Sequence, residues 1–194
     1  MNRKAVSGLA KRVYNRRRRV WFGTYLDEGW FSAAPDDTSV NRAIRTNNPG
    51  ALNISAWQRE RPGYVGQTQA DSAGNITTIY QTPEDGVGAW YFLLFDRYGF
   101  GQAGQFDVIS AARKYAGGNA TIPQIRAYVD GWGRWSGGVL KANTVIHFAA
   151  RDELLLFAKA VFAHEAGAES PVTEAQIRLG FDRSLTRKAR KRAA

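Results

Sequence analysis

Thr82-Pro-Glu-Asp85 opens a helix whose apolar stripe has to be buried, and the rest of the fold must supply the cover. Threonine suits the N-cap, proline the first helical position, and acids the first turn. Val87, Trp90, Tyr91, Leu94 and Tyr98 then recur at helical spacing. Gly99 and Gly101 stop the helix. The longest apolar run, Ala89 to Phe95, has the length of a core helix and falls short of the ~18 residues a membrane span needs.

Covering elements can be read on both sides. Upstream, residues 64–69 and 75–80 are β-rich runs around the turn cluster Asp71-Ser-Ala-Gly74. Two strands alone are marginal, so this hairpin must lean on helices. Downstream, Phe106, Ile109, Ala112 and Ala116 mark a second helix, ending at Gly117-Gly118. Thr121 and Gln124 have capping-box spacing and start a third, with Ile122, Ile125, Val129 and Trp132 as its stripe. Residues 131–138, rich in Gly and Trp, read as a loop. Arg151 to Ala166 is the last strong helix. The expected fold is α+β and mostly α, with one small β-hairpin placed before the main helices.

Charge divides the chain. Of 194 residues, the first 26 hold eight Lys or Arg and no acid; residues 178–194 hold seven against Asp182. The middle is left with 12 basic and 16 acidic residues, a net −4, although the whole chain carries +10. The expected organisation is a basic N-terminal arm and linker over 1–41, a folded domain over 42–168, and a basic C-terminal tail over 169–194. A body of that charge has no nucleic-acid footprint of its own. Arg16, Arg17, Arg18 and Arg19, followed by Val20-Trp-Phe22, suit contact with a phosphate-rich surface, DNA or anionic lipid; a solvated charge run fits equally. No secretory signal peptide is expected, since no apolar region follows the basic start. Cysteine is absent and only His147 and His164 are present, so no disulfide, metal site or cofactor is expected.

Arg45-Thr-Asn-Asn-Pro-Gly-Ala-Leu52 has no periodic core pattern. Pro49-Gly50 is a turn dipeptide, and Asn47 and Asn48 can hold it through backbone bonds. A capped turn and a functional loop both fit. The final helix poses a sharper question. Its stripe runs Leu154, Ala158, Val161, and the next position on that line is Glu165. A carboxylate on a buried face must be paired, hydrogen-bonded or protonated, and burial raises its pKa toward that of a general acid.

Taken in order, these pieces resemble a family of bacteriophage virion structural proteins with a lysozyme-like domain. Its members carry an Arg-Asn-Asn-Asn-Pro-Gly-Asn-Leu motif, a Trp-rich segment and hairpin, an aromatic–x–x–Pro–x–x–Gly helix start, a Thr-Ile helix and a closing His-Glu-x-Gly. The matching residues are Arg45 to Leu52, Trp57, Tyr80 to Gly86, Thr121-Ile122 and His164-Glu-Ala-Gly167. Thr46 and Ala51 stand where the family has asparagines, and Gly88 where it usually has arginine. The resemblance implies a lysozyme-like, muramidase or lytic transglycosylase type of domain in the virion. It would bind or cut peptidoglycan at the bacterial cell wall or periplasm during entry, alongside other virion proteins.

Three acids compete for the role of general acid. Glu165 matches the closing motif. Glu84 matches a common family position, but a helix first turn favours its anion. Glu28, in Asp27-Glu-Gly-Trp30, looks similar over three residues to the catalytic segment of phage-type lysozymes. Glu165 ranks first. For substrate contact the candidates are the amides of Asn47 and Asn48 and a stacking platform from Trp57, Tyr64, Trp132 and Trp135, each of which also fits core packing or loop anchoring. The alternative to a peptidoglycan glycosidase is a non-catalytic virion component whose basic arms dock it on DNA, lipid or capsid.

Overall fold

The computed structural model describes residues 22–26, 29–33, 39–170 and 172–192, with side chains described for 39–170 and 172–184. Arg16 to Arg19 and Glu28 lie outside the described residues. Strands β1 (Phe22–Leu26) and β2 (Gly29–Ala33) form an antiparallel hairpin, Phe22 opposite Ala33, within the span read as an arm.

The folded body starts with α1 (Arg42–Arg45), capped by Asn41, whose side chain accepts from the Ala43 N–H. A 3-10 turn over Ala56–Glu60 follows the Asn-Asn-Pro-Gly loop. Strands β3 (Tyr64–Gln67) and β4 (Thr78–Tyr80) pair antiparallel where the sequence places a hairpin, with a bulge between Tyr64 and Gly66. Helix α2 (Pro83–Phe92) begins as its cap chemistry requires: the Thr82 hydroxyl accepts from the Asp85 N–H and donates to its carboxylate. A π turn over Leu93–Arg97 extends it, and Tyr98 N–H reaches Leu93 O at 2.8 Å. Then come α3 (Phe100–Ala103), β5 (Gln105–Asp107), α4 (Val108–Ala116), α5 (Ile122–Trp135), β6 (Val145–His147), α6 (Arg151–Ala166) and α7 (Glu174–Arg192). The chain is α+β and mostly helical, with its strands in small antiparallel pairs. The single expected hairpin is therefore an undercount: β1–β2 and β5–β6 also pair.

Trp90 is the centre of the core, with no exposed surface. Phe157 and Phe162 of α6 pack on it at 5.9 and 4.9 Å between centroids, and Phe181 of α7 stacks at 6.4 Å. So α2 lies between α6 and α7. A Cβ on Gly180 would come within 2.6 Å of Val87, and one on Gly88 within 3.1 Å of Gly180 O, so paired glycines let α7 sit close on α2. This corrects the boundary at residue 168. Val172, Ile177 and Phe181 are buried in the main cluster, and the body extends at least to Ser184. The basic composition of 178–194 hid the apolar face that Ile177 and Phe181 present.

Residues 131–135 are likewise helical, not part of a loop. Gly131 is there for close packing: a Cβ would meet His164 Nδ1 of α6 at 2.4 Å. Trp132, 0% exposed, packs on Phe157 at 5.1 Å.

Candidate functional site

Glu165 sits in the last turn of α6 and lines a cleft of about 370 Å³. Several segments meet there. The motif loop brings Gly50 to Asn53, the 3-10 segment brings Ser55, Trp57 and Gln58, and the helical layer brings Leu93, Tyr98, Tyr115 and Tyr128. Arg42 of α1 and Asn75 of the hairpin loop close the rim. The volume lies in the range of about 300–1,000 Å³ usual for small-molecule sites.

The carboxyl of Glu165 is largely withdrawn from water, and among the described residues its Oε1 has no hydrogen-bond partner. Burial pushes its pKa up to about 7, against a smaller opposing pull from the Arg42 guanidinium. The partial negative charge at a helix C-terminus also favours the protonated form. Arg42 is held from the other side by Asp71, Nη1 to Oδ2 at 2.9 Å. Asp71 in turn accepts from the backbone of Asn75 and Ala73, and these bonds, Asn75 first, keep its pKa below the usual range. Burial and the neighbouring Glu165 both raise the phenol pKa values of Tyr115 and Tyr128. Asn41 ties the two sides together, its side chain donating to Glu165 O at 3.2 Å.

The amides expected to contact a ligand are built into the frame instead. Asn48 is 0% exposed. Its Nδ2 donates to Leu52 O and Thr78 O, both at 2.9 Å, and its Oδ1 accepts from Leu52 N–H. Asn47, at φ 50°, donates to Tyr80 O and Gln81 O. Both side chains clamp the motif loop to the hairpin, because the loop's neighbours there are bare backbone carbonyls. Gly50 serves the same packing: its Cβ would meet the Trp90 ring at 2.5 Å. Tyr115 hydroxyl closes the assembly by donating to Gly50 O. The Asn-Asn-Pro-Gly loop is thus scaffold, and what it presents to the cleft is Gly50 to Asn53.

Of the aromatic candidates, Trp57 alone lines the cleft, half-buried and packed on Phe92 at 5.5 Å. Trp132 is a core residue. Tyr64 is paired with Tyr80 in the hairpin, and Trp135, 40% exposed, ends α5; neither reaches the cleft. Glu84 is also remote, since its backbone lies against Gly180 of α7. Sequence reasoning missed Tyr98, Tyr115 and Tyr128. Tyr98 carried a signal, being the stripe residue that falls where the π turn re-aims the chain.

Among the described residues no three His, Asp or Glu gather as a metal set, and no helix is long and apolar enough to cross a membrane. A comparison with protein-family models finds no match, and neither does a comparison with curated proteins.

Proposed function

We propose that the chain binds peptidoglycan glycan strands in this cleft and cuts them with Glu165 as general acid, as a lysozyme-like phage virion component acting at the bacterial cell wall. One observation carries the reading: a withdrawn carboxyl with an unpartnered oxygen and a pKa near 7 lines a cleft that also offers an aromatic platform and amides. A group of that kind is about half protonated at neutral pH, where an acid gives up its proton most readily. The ordered motifs at residues 45–52, 80–86, 121–122 and 164–167 supply the substrate class by resemblance.

Among the described residues the cleft lining contains one carboxylate. Most retaining and inverting glycosidases need two. A single acid suffices when the substrate supplies the nucleophile, so we favour lytic transglycosylation. Protonated Glu165 gives its proton to the glycosidic oxygen as the C1–O bond breaks. The muramoyl C6 hydroxyl closes on C1, and its proton returns to Glu165, leaving an anhydro-muramoyl end. Trp57 stacks on a sugar face, and Asn53 and Asn75 face its polar groups.

Bacterial sacculi digested with the full chain test this. Anhydro-muramoyl products from wild type, and none from Glu165→Gln, are expected; no release of products by folded wild type would refute cleavage.

The charge of residues 1–26 supports a packaging role alongside catalysis. Those residues would dock the protein on DNA, anionic lipid or capsid with salt-sensitive affinity. Particle incorporation that survives deletion of residues 1–20 would count against that role.

A further inference from the structure

Tyr98 is shared between the cleft and a neighbouring pocket. The same side chain forms a wall of a second, more open groove of about 530 Å³, on the face where α4 turns into α5. This groove has a different chemistry. Among the described residues its charged lining is Arg113 and Lys114, with no acid beside them. Both are exposed in the last turn of α4, and among the described residues neither has an ion-pair partner.

Lys114 is aimed rather than loose. Its Nζ stands 5.6 Å from the Tyr98 ring centroid and 5.5 Å from that of Phe100, and Tyr98 hydroxyl donates to Lys114 O at 3.1 Å. Cation–π attraction to two rings restrains the ammonium at the junction of groove and cleft. Gly118 keeps the groove open. It does not need a positive φ, and a Cβ there would meet no atom within 4 Å, so neither backbone nor packing demands glycine. A larger side chain at that position would stand in the groove.

We propose that this groove is a subsite for the carboxylate-bearing stem peptide of the strand held in the cleft, with Arg113 and Lys114 as its anion contacts. The proposal rests on the peptidoglycan reading above. Glycan in the cleft carries its peptides as side branches, and a branch leaving past Tyr98 enters a groove lined by two cations that have no ion-pair partner among the described residues. The middle of the chain, residues 27–177, is net negative, so two cations without acids in one groove make a local exception that suits an anionic ligand.

The test uses the full chain carrying Glu165→Gln, so that bound strands are not consumed. Its affinity is measured for soluble glycan strands bearing their stem peptides and for the same strands stripped of peptide by an amidase. At low salt the peptide-bearing strands should bind roughly fivefold tighter, the size expected of two exposed ion pairs, and added salt should erase the difference. Adding Arg113→Ala with Lys114→Ala, or separately Gly118→Leu, should each remove the preference, with thermal unfolding checked to establish that the variants are folded. Equal affinity for the two strands, or a preference that survives in folded variants, overturns the subsite and leaves the cleft reading standing. Binding to neither strand overturns both.

Discussion

Arg42 and Glu165 face the same cleft, but Arg42 directs its Nη1 to Asp71 at 2.9 Å while Glu165 Oε1 has no partner among the described residues. An Arg–carboxylate pair at that spot would hold Glu165 ionised, as opposite charges do. The Asp71 turn, fixed by its own backbone bonds, holds the cation off and leaves burial to set the acid's state.

Replacing Arg42 with Met should therefore raise the Glu165 pKa further, because the guanidinium is the influence that now lowers it. The descending limb of the pH–rate profile, which tracks loss of the general acid's proton, should move to higher pH. An unchanged limb would mean that Arg42 does not act on Glu165.

Glu165 also has a stability signature. Its pKa is about 7 in the folded chain against 4.5 for the ordinary side chain. Below the lower value both states are protonated and the group contributes nothing. As pH rises from there the unfolded chain loses the proton first, so the folded state binds more protons and stability falls until the folded pKa is passed. Glu165→Gln removes that penalty, on the order of 3 kcal/mol if the whole shift is realised. The variant should be inactive yet more stable than wild type at pH 8, with the gap closing near pH 4, in denaturant melts followed across that range.

Asn48 should behave as scaffold. Asn48→Ala takes the acceptor from Leu52 N–H and one donor from Thr78 O in a buried place, while Leu52 O keeps the Thr78 N–H. A cost of about 2–4 kcal/mol follows from the usual penalty for unsatisfied buried groups. Chemical denaturation measures it. An equally stable variant with weakened glycan binding would restore Asn48 as a ligand contact.

Trp57 should show the opposite pattern. Trp57→Ala removes the aromatic wall of the cleft, and a lost sugar stack of about 1 kcal/mol predicts roughly five- to tenfold weaker glycan binding. Binding titrations on the Glu165→Gln background separate this from any effect on turnover.

Local chemistry was legible in the sequence, and remote geometry was not. The start of α2 could be read from Thr82, Pro83 and Asp85 because cap and partner lie within three residues. Glu165 stood out because a carboxylate interrupts an apolar stripe, a local conflict of the kind that marks functional sites. Asn47 and Asn48 bond to carbonyls about thirty residues away, and nothing in their own neighbourhood announces that. Gly131 read as the start of a loop because its reason for being glycine is His164, on another helix. The three cleft tyrosines come from the π turn and two separate helices, so no spacing rule joins them.

The end of the chain shows the same limit and gives the last test. Residues 169–194 read as a basic tail outside the folded domain, yet Phe181 is 1% exposed and lies against both Trp90 and Tyr91, at 6.4 and 5.2 Å. Truncating it to Ala removes an aromatic ring from the layer that covers α2, and a loss of about 3–5 kcal/mol is expected for a buried Phe. Against the usual 5–15 kcal/mol of a domain, that is a large fraction of the whole. Phe181→Ala should lower the unfolding midpoint sharply, and deletion of residues 169–194 should abolish cooperative unfolding. A truncated chain that melts like the full one would show that α7 is an appendage. Because no described residue of α7 lines the cleft, a folded Phe181→Ala chain should keep the Glu165-dependent pH profile, separating what holds the body together from what the cleft does.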